Sequence, residues 1–543
     1  MTDVAAPPSA TGSPGADQPP PSAPHVLTRR DRLAWGIFWA AIGACVVYSI
    51  LVRLWAPRGL WLDESQSVAI ARLPLSGHGT TLIQGLKQDG SPPLYYLLLH
   101  WWIELFGNGD RTVRALSFVL NLACIPPLYW LGKRVIGKRA AWVAVLAFIT
   151  SPFAAYYASE TRMYSLLVLL ALLGALALER TLRAPTWWSV LCLALAADAV
   201  AMTHYWSLYS LITVAVFLIV GALWGKPAQK RGCRFSMLGL VGGGILFIPW
   251  LPTFLYQAKH TGTPWGTPPP YSAVVHAFGQ WSGGQLTAGR ALLVIVCALL
   301  ALAVFGYPAG PRQVLIDLKG HEPGRLMLLL ALSTLVLAVT VGKLVGTAWA
   351  DRYTAVAFIP FLLCLALGPE RLADRRIWAG SIGLLALFGT LAAGPTVTAQ
   401  RTQAVQVARI LAKNAVPGDV VLYCPDQLGP AIAREIRAGR GGTGLKHFTI
   451  PTFAAPDRVN WTDYKKRNTA AVAQVPQLAQ RALREAGTHR VWLVYSDEYL
   501  TTQTLCSNLR LTLAQQRQLF EWAAPALTSY EHEELDSFTL RRK

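Results

Sequence analysis

Charge is what this sequence has least of. Lys, Arg, Asp and Glu make up 14% of its 543 residues, while 53% are hydrophobic and 20 are Trp. Soluble domains carry about 25% charged residues, so most of this chain belongs in lipid. Acid is scarcer than base, with 29 Asp and Glu against 49 Lys and Arg. The excess does not point to nucleic acid, because the basic residues fall in short clusters between apolar runs, as cytoplasmic loops do. The eight cysteines include no CxxC pair, which argues against a structural zinc site. Cys45, Cys124, Cys192, Cys297 and Cys364 within apolar runs, and Cys233 in a basic loop, read as small apolar residues. The glycine-rich Arg437–Leu445 stretch lacks the Gly-Lys-Ser/Thr ending of a phosphate-binding loop, and no internal repeat is visible. Residues 1–28 have few large apolar side chains and are expected to be disordered. They also lack the basic, apolar, small-residue order of a secretory signal.

What is present is a series of apolar stretches long enough to cross a bilayer. They run near 33–54, 112–131, 140–158, 162–179, 187–203, 206–224, 235–256, 291–308, 326–345, 353–369 and 377–397, about eleven crossings. One further segment, Pro92–Phe106, is short and heavy in aromatics, and loop charge decides its status. If it does not cross, the clusters at Lys133/Arg134/Lys138/Arg139, Arg180/Arg183, Lys226/Lys230/Arg231/Arg234, Arg312/Lys319/Arg325 and Arg371/Arg375/Arg376 all share one side with Arg29, Arg30 and Arg32. The positive-inside bias favours that arrangement. Pro92–Phe106 is then interfacial or re-entrant, with Tyr95, Tyr96, His100, Trp101 and Trp102 suited to the headgroup layer. The N-terminus is expected in the cytoplasm and the C-terminus outside the cell membrane.

This topology gathers the unusual polar residues on the non-cytoplasmic face, although none of them was used to fix it. The loop 55–106 carries the adjacent carboxylates Asp63 and Glu64, and later Asp89. Carboxylates this close to a bilayer cost about 2.5–3.5 kcal/mol each to bury in hydrocarbon, so they should face water or a polar cavity. Asp63 also reads as the N-cap of a helix starting at Ser65. Glu160 and Arg162 mark another outer boundary, either as a site or as a local pair, and His204 a third, either as a site or as an interfacial donor to a carbonyl. Lys343 sits inside an apolar run, where a lysine is costly unless it snorkels or meets an anion. Asp351 and Arg352 form either a self-satisfied pair or a phosphate site, for which Arg is the preferred bidentate ligand.

The motifs Trp61-Leu-Asp-Glu-Ser65, Pro92-Pro-Leu-Tyr-Tyr-Leu97, Lys133-Arg-Val-Ile-Gly-Lys-Arg139 and Ser159-Glu-Thr-Arg-Met-Tyr164 together resemble the GT-C glycosyltransferases. The likeness is to the branch of protein O-mannosyltransferases and aminoarabinose transferases (glycosyltransferase family 39 and relatives), over roughly residues 33–370. It implies inverting transfer from a polyprenyl-phosphate sugar to an acceptor outside the cytoplasm, which is a lipid, a polysaccharide or a protein. It also implies that the first-loop Asp, here Asp63, is the base. In the aminoarabinose branch a Lys precedes the Pro of the Pro-Pro-like motif. Here that position is Ser91, which leaves Lys343, Arg352 or Arg162 to hold the phosphate, with Asp89, Glu160 and His204 nearby.

The chemistry suits that inventory, since a lipid-phosphate leaving group needs charge stabilisation more than protonation. A glycosidase would want two carboxylates about 5–9.5 Å apart, whereas sequence neighbours on a helix or strand face different ways. One of Asp63 and Glu64 should therefore face the reacting centre while the other orients a ligand or a divalent ion; no cofactor is required, although hard cations do take carboxylate oxygens. Residues 399–543 read as a small α/β domain outside the membrane, with strands in Val416–Gln427 and His489–Asp497, and with Cys424 and Cys506 as a disulfide pair at one sheet edge. The expected whole is a polytopic α-helical membrane protein with a small C-terminal extracytoplasmic α/β domain. The competing class, a transporter or flippase of a lipid-linked or anionic substrate, should show inverted repeats and midplane charges.

Overall fold

The computed structural model describes residues 28–262, 266–439, 444–497, 499, 504–526, 529 and 531–541. The expected disordered tail (except Thr28), Trp265, the glycine-rich residues 440–443 and the run 500–503 lie outside them. Each of the eleven apolar stretches forms a helical segment. Among the described residues nine helices are long and apolar enough to cross a membrane; the other two stretches are the bent pair Lys138–Thr150 and Pro152–Ala158 and the shorter helix Trp187–Ala201. The bend of 57° has a local cause. Pro152 cannot donate into the preceding helix, and Ser151 turns extended and caps the Ala154 N–H.

Helices 187–201 and 227–247 approach closely because glycines line their contact. A Cβ on Gly239 would lie 2.9 Å from Leu193 Cδ2, and one on Gly243 2.9 Å from the Ala194 carbonyl oxygen. Small residues four apart are how membrane helices gain close packing where lipid gives no hydrophobic drive. At the end of the bundle where the first helix begins, Arg312–Asp374, Arg376–Asp31 and Arg139–Glu370 link successive basic loops. The span expected over 291–308 stops at Phe305 and gives way to a hairpin, Gly306–Gly310 with Gln313–Ile316.

The opposite end carries the short helices Leu62–Ala71, Leu82–Asp89 and Leu94–Phe106. The last has only 13 residues, too few to span. Its aromatics differ from expectation: Tyr95 and Tyr96 are fully buried, while Trp101 is exposed. His100 bonds the Ala71 carbonyl and Trp102 donates to the Thr112 carbonyl, so this face is held by polar contacts inside the protein.

Beyond the last span, a five-stranded sheet runs in the order 446–449, 420–424, 491–495, 534–539, 518–523. Its first three strands are parallel and the last two antiparallel. Val420–Cys424 and Val491–Tyr495 are buried along their whole length, which is why both read as continuous apolar runs. Cys424 and Cys506 are joined by a disulfide. Cys506 lies in the first turn of the helix Leu505–Gln516 rather than at a sheet edge, so the bridge ties a strand end to a covering helix.

Candidate active site

The helix Leu62–Ala71 carries both carboxylates, and eight of its ten residues are buried. It begins at Leu62, so Asp63 lies within the first turn and is not the N-cap. Trp61 at the cap makes no side-chain cap bond. The Leu62 N–H donates instead to Glu531 Oε2 at 3.3 Å, from 469 residues away. Acidic groups at this end complement the helix dipole.

Adjacent on the helix, the two carboxylates face different partners. Glu64 is fully buried and receives Arg114 in a bidentate pair, Nε to Oε1 at 2.7 Å and Nη2 to Oε2 at 2.5 Å. The Thr161 N–H donates to Oε1 at 2.9 Å, and Arg401 Nη1 stands 3.9 Å away. Burial is the largest influence and would raise this carboxyl, but Arg114, Arg401 and the Thr161 N–H together hold Glu64 below its ordinary value. Glu64 is fully buried, and its hydrogen bonds to Arg114 and the Thr161 N–H fix the helix.

Asp63 turns to two other arginines. Its Oδ2 lies 3.4 Å from Arg352 Nη2 and 3.8 Å from Arg162 Nη2. Oδ2 is buried and makes no hydrogen bond, so the carboxylate is held by charge. Arg162 is itself positioned by Ser67 Oγ at 3.0 Å and Tyr96 OH at 3.3 Å. Tyr96 OH in turn reaches Asp89 Oδ2 at 3.3 Å, which also accepts from Ser91 at 2.6 Å, while Gln66 bonds Asp89 Oδ1 at 3.0 Å. Asp89 therefore orients Arg162 through Tyr96. Burial is the main cause of its raised pKa, against the lowering effect of Ser91 and Arg162.

Arg352 lines a cavity of about 430 Å³ with Trp61, Phe153, Tyr156, Tyr157, Glu160 and Trp349. Aromatic walls, one cation and the Asp63 carboxylate behind it suit an amphiphilic anion. Glu160 does not pair with Arg162; its Oε1 accepts from Trp61 Nε1 at 3.0 Å, and its Oε2 is buried without a hydrogen bond. Burial pushes its carboxyl up to about 7, with Arg401 opposing. His204 is buried at the cluster's edge, its Nδ1 accepting from the Trp206 N–H. Burial, then Arg162 and Arg352, lower it to about 3, so it offers no charge to a phosphate. Asp351 bonds the Trp349 indole at 3.2 Å rather than pairing with Arg352. Lys343 does not join the cluster; it is exposed, with its ammonium 4.6 Å from the Tyr271 ring centroid.

Asp63 and Glu64 do not converge on one point, and each carboxylate faces guanidinium groups. That set of neighbours fits an anion better than a divalent cation. Among the described residues no group of three or more His, Cys, Asp and Glu is placed to hold a metal ion.

The sequence reading missed Arg114, Arg401, Tyr96, Gln66 and Glu531. Arg114 had a signal: an arginine inside an apolar span is expensive without a partner. Glu531 had none, because its contact joins the two ends of the chain. Burial pushes its carboxyl up to about 8 and raises that of Glu533, which accepts from Thr402.

Two outcomes follow from this geometry. Glu64→Gln leaves Arg114 buried without its counter-charge and should cost about 3–5 kcal/mol of stability; a melting temperature in detergent equal to wild type would remove the holding role. For Glu160 the folded value of about 7 lies above the ordinary 4.5. The native state then holds the proton between these limits, and stability falls as pH rises from about 4.5 to about 7, levelling off above. Glu160→Gln should abolish that step, as read from melting temperatures across the same interval.

Comparisons with known proteins bear on the same region. The family described as dolichyl-phosphate-mannose-protein mannosyltransferase matches residues 90–252. The lipopolysaccharide core galacturonosyltransferase RgtA of Rhizobium johnstonii is 24% identical over 491 residues, covering 82% of this chain and 90% of that protein. ArnT from Cupriavidus metallidurans, in its apo structure, superposes with a TM-score of 0.54 and 13% identity over 93% of this chain and 98% of its own. ArnT bound to undecaprenyl phosphate gives the same score at 14% identity and the same coverage. Over most of its length the chain is similar in sequence to a glycosyltransferase, and it shares the fold of ArnT.

Proposed function

We propose that this protein moves a sugar from a polyprenyl-phosphate donor to an acceptor hydroxyl outside the cytoplasm, with inversion and with Asp63 as general base. The observation that carries this reading is the Asp63 carboxylate, held by Arg352 and Arg162 behind an aromatic cavity that Arg352 lines. ArnT, whose structure contains undecaprenyl phosphate, supports the donor class.

In this mechanism Asp63 takes the proton of the acceptor hydroxyl as its oxygen attacks the anomeric carbon. The bond from that carbon to the phosphate oxygen breaks, and the electron pair leaves with the polyprenyl phosphate. One displacement inverts the centre. Arg352 and Arg162 stabilise the charge gathering on the leaving phosphate, where fixed cations in a desolvated site act most strongly. The phosphate competes with Asp63 for the same guanidiniums, so donor arrival loosens the carboxylate toward the acceptor. Tyr156, Tyr157 and Trp61 give the apolar part of the donor a wall.

Asp63→Asn should reduce transfer by about 10²–10⁴-fold, the usual worth of a positioned base, with folding and insertion unchanged. Labelled-sugar incorporation from a polyprenyl-phosphate sugar measures this, and near-normal turnover would sink the assignment. Arg352→Gln and Arg162→Gln should act chiefly on donor use.

The same proposal places Asn460 outside and Lys138 inside. In a background without the exposed native thiols, Asn460→Cys should react with a membrane-impermeant reagent in intact cells and Lys138→Cys should not. The reverse pattern would mean that the chain is inserted the other way.

A further inference from the structure

A second cavity, about 1280 Å³, lies between the helix Leu62–Ala71 and the C-terminal sheet region. Ser65, Val68, Ala69 and Arg72 line it, spaced as one helical face, opposite the side from which Asp63 reaches its arginines. Six arginines line the cavity against Asp110, Glu435 and Asp457. Arg434 is committed to Asp110 and Arg437 to Asp457. The side chains of Arg58, Arg72, Arg111 and Arg458 make no ion pair or hydrogen bond among the described residues. Four guanidiniums without ion pairs around one cleft, with only Asp457 acting on Arg458, repel each other, and an anion relieves that. Among the described residues no aromatic side chain lines the space, which distinguishes it from the aromatic cavity behind Trp61 and gives neither a lipid tail nor a neutral sugar ring a platform.

We propose that this cleft binds an anionic oligosaccharide, carboxylated or phosphorylated, through Arg58, Arg72, Arg111 and Arg458. Its volume exceeds the roughly 300–1,000 Å³ of common small-ligand sites, so it has room for several sugar units. Guanidinium groups match both acids bidentately. Resting on the transferase reading, the cleft anchors the acceptor on one face of the Asp63 helix while the donor occupies the other.

The test uses full-length protein in nanodiscs of uncharged lipid. Three fluorescent probes are titrated: an oligogalacturonate, a phosphorylated oligomannoside and a neutral malto-oligosaccharide of equal length. Wild type should bind at least one acidic probe and not the neutral one, and binding should weaken as salt screens the charges. Which acidic probe binds tells carboxylate from phosphate. Arg72→Gln/Arg458→Gln and Arg58→Gln/Arg111→Gln should each weaken binding by about 100-fold, at about tenfold per charge-assisted contact. The Lys double variants should recover part of it. Equal binding of the neutral probe, or unchanged affinity in both Gln variants with normal melting curves, would overturn the proposal. In a transfer assay the Gln variants should raise the acceptor KM and not the donor KM. Binding without transfer by wild type would refute the transferase reading and leave the anion cleft standing.

Discussion

The buried ion pair between Glu64 and Arg114 is the contact on which the candidate site depends. Two charges taken out of water are favourable only if nearly every remaining donor and acceptor is used. Here the Arg114 guanidinium bonds both Glu64 oxygens and the carbonyls of Pro57 and Gly59, while the Thr161 N–H completes the carboxylate. Those partners come from the first loop, the second span and the turn that leads to Arg162. The pair therefore fixes, at one point, the helix that bears Asp63 and the turn that bears its cation. A shift in any of the three segments would leave a charge buried and unpaired, which is a steep restoring force for a site exposed to water on one side.

This explains how two adjacent carboxylates divide the work. Glu64 is spent on holding, with no exposed surface, and Asp63 keeps oxygens uncommitted to hydrogen bonds beside two arginines. The chain Asp89–Tyr96–Arg162 extends the same logic outward. A half-buried acid fixes a phenol, and the phenol fixes a guanidinium, so one of the two cations beside Asp63 is aimed before any ligand arrives. Preorganisation of that kind favours charge stabilisation over charge recruitment.

How far the sequence shows this depends on the range of each interaction. Span positions were legible because lipid imposes a length and an apolarity that few other structures satisfy. Asp63, Arg162 and Arg352 stood out because charge is rare near the membrane, and the structure brings these three together. Lys343 stood out for the same reason and is not part of the cluster, because a long side chain at a helix end can reach the surface along an aromatic ring. Tyr96 was assigned to the headgroup layer on composition, since period alone cannot tell a lipid-facing aromatic from one buried against a polar site. The Gly306–Ile316 hairpin was hidden by its apolar approach. The disulfide pair was legible from compartment and count, but not its geometry, since Cys506 follows residues with no clear period.

Least legible was the way the chain's end is fastened to its beginning. Glu531 caps the Asp63 helix, Gln66 exchanges two hydrogen bonds with Val459, and the Trp461 N–H donates to the Gln88 carbonyl. Arg434 grips Asp110 at the start of the second span. Each contact crosses more than three hundred residues, so no local pattern announces it. Together they make the sheet region a clamp on the first loop. Because burial raises the carboxyls of both Glu531 and the nearby buried Glu533, Glu531 to about 8, at least one of the two is readily protonated at neutral pH. A protonated acid can still accept through its other oxygen, so the cap on Leu62 survives where two buried carboxylates side by side would drive the clamp apart. The site's rigidity thus rests on one matched charge pair, Glu64 with Arg114, and on the carboxyl of Glu531 that caps the Asp63 helix.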